Sequence, residues 1–194
     1  MSDLDRDRWN ARYRGGAGPA REPVPFLAEV AAELPTEGRA LDVAGGSGRN
    51  ALWLARRGLS VTLVDVSDEA LRLASEAARK QELALSVQQT DLEEAGLPPG
   101  PWDLIVITNY LWRPLFAAVP EVLARGGVFV FVQPTRSNLE RHPKPSARFL
   151  LGDGELPGLI QGLETLRYEE AWSEAGRHEA RLLARHSRRG DRAS

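Results

Sequence analysis

One stretch, Arg39-Ala-Leu-Asp-Val-Ala-Gly-Gly-Ser-Gly-Arg-Asn-Ala-Leu-Trp-Leu-Ala-Arg-Arg-Gly58, constrains the fold more than any other. It reads as a buried strand over Ala40 to Ala44, a glycine turn over Gly45 to Gly48, and a helix stopped by Gly58. Leu41 and Val43 supply the apolar residues of a short β run. Asp42 stands among them, where a buried charge needs a compensating partner. Glycines let the backbone turn tightly and approach a ligand with no Cβ in the way. Ala51, Leu52, Leu54 and Ala55 then recur at helical spacing, and Gly58 suits a helix C-terminus. Strand, glycine turn and helix together form the ligand-cradling unit of open α/β sheets.

The rest of the chain repeats that alternation. Residues 24–34 read as an amphipathic helix ending before Pro35. Leu59 to Val66 is a second buried strand with Asp65 at its carboxyl end. Ser67 can cap the next helix, with Asp68 and Glu69 in the first turn and Arg79 and Lys80 near the end. A third strand runs from about Leu83 to Gln89, followed by Thr90-Asp-Leu92 and a connecting loop from Glu93 to Pro101. Trp102 to Thr108 is a fourth strand. A proline-interrupted helix over Leu115 to Ala124, ended by Gly126-Gly127, leads to a fifth strand, Val128 to Val132. A basic loop covers 135–153 and a short helix lies near Leu156 to Gln161. Two final runs, Leu163 to Trp172 and His178 to His186, read as an antiparallel hairpin.

This pattern predicts a Rossmann-like, doubly wound α/β fold with a seven-stranded sheet. The sheet is mostly parallel, with an antiparallel C-terminal hairpin and helices on both faces. Its 194 residues fit a single domain, with an N-terminal helix or lid segment over 1–20, a core over 24–186 and a frayed tail over 187–194. Ligands of such sheets bind at the carboxyl ends of the strands, where Asp42, Asp65, Asp91 and Thr108 converge.

Composition narrows the function. The net charge of −2 gives no global attraction to nucleic acid. No run reaches the ~18–20 apolar residues of a membrane span, and the charged N-terminus does not resemble a signal peptide. The chain has no cysteine, which excludes disulfides and thiolate chemistry. The three histidines are not spaced as metal ligands on one element, so no metal is expected; His178 and His186 are expected at strand ends in solvent. A cytoplasmic protein, monomer or homodimer, acting on a small molecule without nucleic-acid or membrane partners is the simplest expectation.

Gly46-x-Gly48-x-x-Ala51 also satisfies the dinucleotide pattern, with Asp65 at the distance of a ribose-binding acid. An NAD(P)-dependent oxidoreductase is therefore one reading. Asp42 opposes it, because a carboxylate beside the turn suits a cationic ligand end better than pyrophosphate.

Leu41-Asp-Val-Ala-Gly-Gly-Ser-Gly48 resembles motif I of class I S-adenosylmethionine-dependent methyltransferases. Asp65 is similar to that family's ribose-binding acid, and Asp91-Leu92 to its adenine-contacting pair; the resemblance covers about residues 24–186. Gly-Ser-Gly-Arg-Asn50 and the N-terminal Trp9-x-x-x-Tyr13 look like the small tellurite-resistance-type methyltransferases. Ala44 departs from the motif, which usually has its first glycine there, and Arg125 stands where the family often has proline.

The resemblance implies S-adenosylmethionine as cofactor, S-adenosylhomocysteine as product, and in-line methyl transfer to a small thiol, oxyanion such as tellurite or selenite, or amine. It implies cofactor contacts from Asp42, Ala44, Gly45, Gly46, Gly48, Asn50, Asp65, Val66, Asp91, Leu92 and Thr108. Tyr13, Asn109 and Tyr110 are the implied catalytic group, with Tyr13 the first choice of base. Trp9, Tyr13, Tyr110 and Arg113 are the implied substrate contacts. A non-catalytic S-adenosylmethionine-binding protein is the remaining alternative.

Overall fold

The computed structural model describes residues 3–16, 20 and 22–187. Seven strands form one sheet in the order β3-β2-β1-β4-β5-β7-β6. They are β1 (Arg39–Val43), β2 (Ser60–Asp65), β3 (Leu85–Gln89), β4 (Trp102–Thr108), β5 (Leu123–Pro134), β6 (Glu164–Trp172) and β7 (His178–Arg185). The first five strands run parallel to one another, while β7 runs antiparallel to both β5 and β6. The expected sheet is therefore present, hairpin included. The chain steps outward from β1 to β3, then returns to the other side of β1 for β4. That reversal opens the crevice at the carboxyl ends of β1 and β4.

Strand alternation sorts the core into two layers. Ala40, Val61, Leu63, Val106 and Val130 pack on one face with α2 (Pro25–Glu29), α3 (Arg49–Arg56) and α4 (Asp68–Lys80). Leu41, Val43, Ile105, Ile107, Phe129 and Phe131 pack on the other with α6 (Leu115–Val122), and Leu92 of α5 (Leu92–Ala95) and Leu156 of α7 (Leu156–Leu159) join them. Phe116 meets Phe131 edge-on at 5.0 Å between ring centroids, a favourable aromatic geometry. The N-terminal α1 (Asp3–Arg14) lies against α4.

Three boundaries differ from the sequence reading. The helix expected over 24–34 breaks at Val30 and continues as a single 3₁₀ turn, Ala31–Glu33. The loop expected over 93–101 opens with α5, capped by Asp91. The helix expected to end at Gly126-Gly127 stops at Val122 instead, because Leu123 already pairs with Trp102. The two glycines sit in an irregularity within β5, before Val128 resumes pairing with Leu104. Apart from Ser187, the tail expected over 187–194 lies outside the described residues, as do residues 1, 2 and 17–19 of the expected N-terminal helix or lid segment.

On the outer strands a lattice of ion pairs joins β6, β7 and α2. Arg181 contacts Glu169 at 3.0 Å and Glu29 at 3.7 Å, and Arg167 contacts Glu29 at 3.5 Å.

The glycine turn packs directly on α4. Gly48 has φ +87°, and a Cβ there would lie 2.9 Å from the Ala74 Cβ. Gly48→Ala therefore combines a left-handed backbone with a steric overlap, and denaturant unfolding should show a loss of roughly 1–3 kcal/mol. Unchanged stability would mean that the turn is not held this tightly against α4.

Candidate active site

Two buried carboxylates shape the turn between β1 and α3. Asp42 is fully buried on β1, and its Oδ2 accepts the Ala51 N–H at 3.0 Å. Its Oδ1 is buried with no hydrogen-bond partner. A Cβ on Gly45 would come within 2.5 Å of Asp42 Oδ2, so only glycine fits there. Asp65, at the end of β2, accepts the Gly46 N–H at 2.8 Å on one oxygen and the Ser67 N–H at 2.9 Å on the other. The expected ribose acid thus also ties the turn to the β2–α4 junction. Burial pushes the Asp42 carboxyl up to about 7, with a smaller contribution from the Asp65 charge. Burial raises Asp65 as well, opposed by its backbone donors.

Ala44 explains its own departure from the motif. It adopts φ +52°, a left-handed conformation that disfavours any residue with a Cβ. The turn keeps the shape a glycine would give it, with alanine carrying the strain.

The N-terminal helix reaches this turn. Asn10 is buried and spans the start of α4: its amide donates to Asp68 Oδ1 at 2.6 Å, and its carbonyl accepts the Ser67 hydroxyl at 2.7 Å. Ser67 in turn caps α4 through Ala70 N–H, as expected. Three residues on, Tyr13 lays its hydroxyl against Gly46, in the space that a Cβ would need. Trp9 stacks on Tyr13 at 6.2 Å and is flanked by Arg8 and Arg12. Asn10 carried no signal in the sequence beyond its place between the two aromatics.

The other wall comes from β4. Asn50 donates to Thr108 Oγ1 at 3.0 Å and accepts the Val24 N–H at 3.0 Å, so both ends of its amide are engaged within the protein. It cross-links the segment before α2 to the end of β4. Asn109 has φ +56° and accepts from Arg177 at 3.2 Å through its side-chain oxygen. A strained non-glycine residue at a strand end is a common mark of a functional position. Arg177, in the β6–β7 turn, is a site residue that the sequence reading missed, because nothing local links it to β4. Burial of Arg49 lowers its guanidinium, and the Arg177 charge lowers it further.

Several expected residues have other partners. Arg113 is paired through two guanidinium nitrogens with Glu155, one contact at 2.7 Å, and is not free to hold a substrate anion. Asp91 caps α5 by accepting the Glu93 N–H at 3.0 Å, and Leu92 is core. Val66 is 6% exposed, and its carbonyl accepts from Gln89. Tyr110 has a buried, unpartnered hydroxyl, raised by burial and then by the charges of Glu93, Asp91 and Asp65. Burial and Asp65 likewise raise Tyr13. Both phenols therefore hold their protons at neutral pH, which suits them to donate hydrogen bonds and not to act as the base expected of Tyr13. His178 and His186, expected in solvent, are each half-buried and hydrogen-bonded, to Thr135 and to the Leu123 carbonyl.

Residues 40–127 match the family described as Methyltransferase domain, and the chain carries the fold of class I S-adenosylmethionine-dependent methyltransferases. More particularly, it is 34% identical over 111 residues to a Bacillus subtilis (strain 168) protein provisionally named methyltransferase YqeM. That alignment covers 53% of this chain and 44% of YqeM, so the chain spans less than half of that relative. Among solved structures, TehB from Haemophilus influenzae superposes with a TM-score of 0.70 at 23% identity, over 94% of this chain and 67% of that one. Magnesium protoporphyrin IX methyltransferase from Synechocystis PCC 6803, solved with bound S-adenosylhomocysteine, gives 0.72 at 15% identity, covering 95% and 98%. The [4+2]-cyclase SpnF gives 0.69 at 17%, covering 94% and 92%. At these identities the likeness speaks to fold alone, and the cyclase shows that one fold carries more than one chemistry. Among the described residues no helix is long and apolar enough to cross a membrane.

The raised Asp42 carboxyl makes a stability prediction. Its folded value of about 7 lies above the ~3.9 of an unfolded aspartate. Between those values the folded state holds a proton that the unfolded state releases, so stability falls as pH rises from about 4 to 7 and stays lowered above. Asp42→Asn removes this titration. Its thermal stability relative to the wild type should improve between pH 5 and pH 8 by on the order of 1–4 kcal/mol. A difference independent of pH would show that Asp42 does not carry the penalty.

Proposed function

We propose that the chain transfers a methyl group from S-adenosylmethionine to a small, anionic or soft nucleophile. The observation that carries this reading is the buried Asp42 oxygen left unpartnered beside a glycine turn at the sheet's switch point. An orphaned carboxylate oxygen invites a cationic group, and the methionine end of the cofactor offers an ammonium. The same carboxylate would repel the pyrophosphate of a nicotinamide dinucleotide, which weighs against the oxidoreductase reading.

When bound, S-adenosylmethionine supplies an electrophilic methyl group on a sulfonium. The residues suited to hold it are Asp42 and the Gly45–Gly48 turn at the methionine end, and Asp65 and Asp91 at the nucleoside end. Asp65 retains acceptor capacity beyond its two backbone donors. Tyr13 covers Gly46 and would exclude water from that corner.

The chemistry of the acceptor side points to charge. Arg49 and Arg177 lie close enough for their charges to interact, and Arg177 reaches Asn109 at the end of β4. Arg177 is also ion-paired with Glu179 at 2.5 Å, so the two guanidiniums leave one net positive charge at this rim to favour an anion. With both phenols protonated, a nucleophile that needs no base, such as an oxyanion or a thiolate, fits better than a protonated amine. A small acceptor handled in the cytoplasm accords with this, and the tellurite-type and thiol acceptors remain the classes to screen.

Two measurements test the reading. Calorimetric titration should show S-adenosylhomocysteine binding at pH 8, weakening below pH 7 as Asp42 takes up a proton, with NAD and NADP silent. Asp65→Ala should weaken it by at least about tenfold. Binding of NAD in place of the sulfur cofactor would overturn the assignment. Arg177→Ala should raise the KM for an anionic acceptor by roughly tenfold or more, while leaving S-adenosylhomocysteine affinity within about twofold. Equal losses for neutral and anionic acceptors would show that Arg177 does not select charge.

A further inference from the structure

On the same carboxyl edge of the sheet as the glycine turn, but towards the β6 side, three segments bring His178, Asp153 and Glu170 together. His178 opens β7, Glu170 lies near the end of β6, and Asp153 follows the long loop after β5. One donor atom from each lies within 4.8 Å of the other two. We propose that these three side chains bind a divalent first-row cation, from Mn²⁺ to Zn²⁺, through one imidazole nitrogen and two carboxylate oxygens.

The donor set suits such ions. Carboxylates with an imidazole favour borderline cations over Mg²⁺ or Ca²⁺, which prefer oxygen alone. Metal–ligand bonds of ~2.0–2.2 Å require donors roughly 3.0–3.5 Å apart, a modest contraction of the arrangement present. The surrounding contacts orient the ligands. His178 Nδ1 is 2.7 Å from the hydroxyl of Thr135, a fully buried residue that fixes the ring. A ligating histidine characteristically uses its second nitrogen in this way. Glu170 is steadied by the Gly154 N–H, at 3.1 and 3.0 Å to its two oxygens, and by the Tyr168 hydroxyl at 2.5 Å. The Ser137 N–H holds Asp153 at 3.2 Å. Two carboxylates so placed repel each other, and a cation between them relieves that repulsion.

The consequence would be mechanical. A bound cation would staple the loop after β5 to both strands of the hairpin. Arg177, which precedes His178, is the residue that reaches Asn109. The cation would therefore stiffen the turn that presents Arg177 to the crevice. Two donors lie on opposite strands of one hairpin and the third in the loop before it, so no spacing motif on a single element announced them. The site draws none of its ligands from the glycine turn and stands independently of the methyl-transfer reading.

The test uses the full chain, without an affinity tag and stripped with a chelator. Titration with Mn²⁺ and Zn²⁺ should show one saturable ion per chain and a raised Tm, with Mg²⁺ much weaker. Asp153→Asn, Glu170→Gln and His178→Asn should each weaken binding at least about tenfold, while His186→Asn should leave it unchanged. Co²⁺ should give visible ligand-field bands in the wild type that shift in His178→Asn. The proposal is overturned if neither Mn²⁺ nor Zn²⁺ binds at one per chain, or if binding is unaffected by His178→Asn and Asp153→Asn. It is equally overturned if NMR shows His178 protonated between the two carboxylates in the presence of either ion.

Discussion

Backbone N–H groups of the turn after β1 end on two carboxylates that cannot reach water. Asp42 takes the Ala51 N–H from the first turn of α3, and Asp65 takes the Gly46 N–H from the turn itself. Each bond satisfies a backbone donor and a buried acceptor together, and the loss of either leaves a buried polar group uncompensated. The position of α3, the close packing of Gly48 on α4 and the left-handed backbone at Ala44 all depend on this clamp. The clamp also leaves one Asp42 oxygen unused, so the interaction that shapes the turn is the one that makes it receptive to a ligand.

Around that clamp the chain is sewn together by amides. Asn10 joins α1 to the start of α4, and Asn50 joins the segment before α2 to Thr108. An amide both donates and accepts, so one side chain can satisfy groups on two different elements. Both residues are almost fully buried, at 4% and 2% exposure. The crevice walls are thus held in register by these hydrogen bonds as well as by the core packing of α2, α4 and β4. Tyr13 lies over Gly46 because Asn10, one helical turn earlier, is fixed.

The sheet could be read from the sequence because its strands are buried runs bounded by glycines, prolines and charged caps. Asp42, Gly46, Gly48 and Asp65 could be read because a strand, a turn and an acid at a fixed distance form a local pattern. What escaped was non-local. Arg113 looked free until Glu155 arrived from 42 residues away. Arg177 meets Asn109 only because β7 inserts beside β5 and brings the hairpin turn to the crevice. The helix end at Val122 failed for a related reason: Leu123 was claimed by pairing with β4, and tertiary pairing outranked the two glycines as a stop signal.

The ion lattice over β6, β7 and α2 bears on the open edge of the sheet. β6 is an outer strand of nine residues, with one side of its backbone open to any chain able to pair with it. Arg167 and Glu169 on that strand are engaged with Arg181 and Glu29 on its neighbours. An incoming strand would have to crowd or dehydrate these charges to lie alongside, and dehydrating an ion costs more than a new backbone ladder at that position returns. The Arg167–Glu29 pair, exposed on both sides, contributes little to folding, as exposed pairs seldom do. Charges beside an open strand edge raise the cost of pairing another strand there, and high salt, by screening them, would lower that cost.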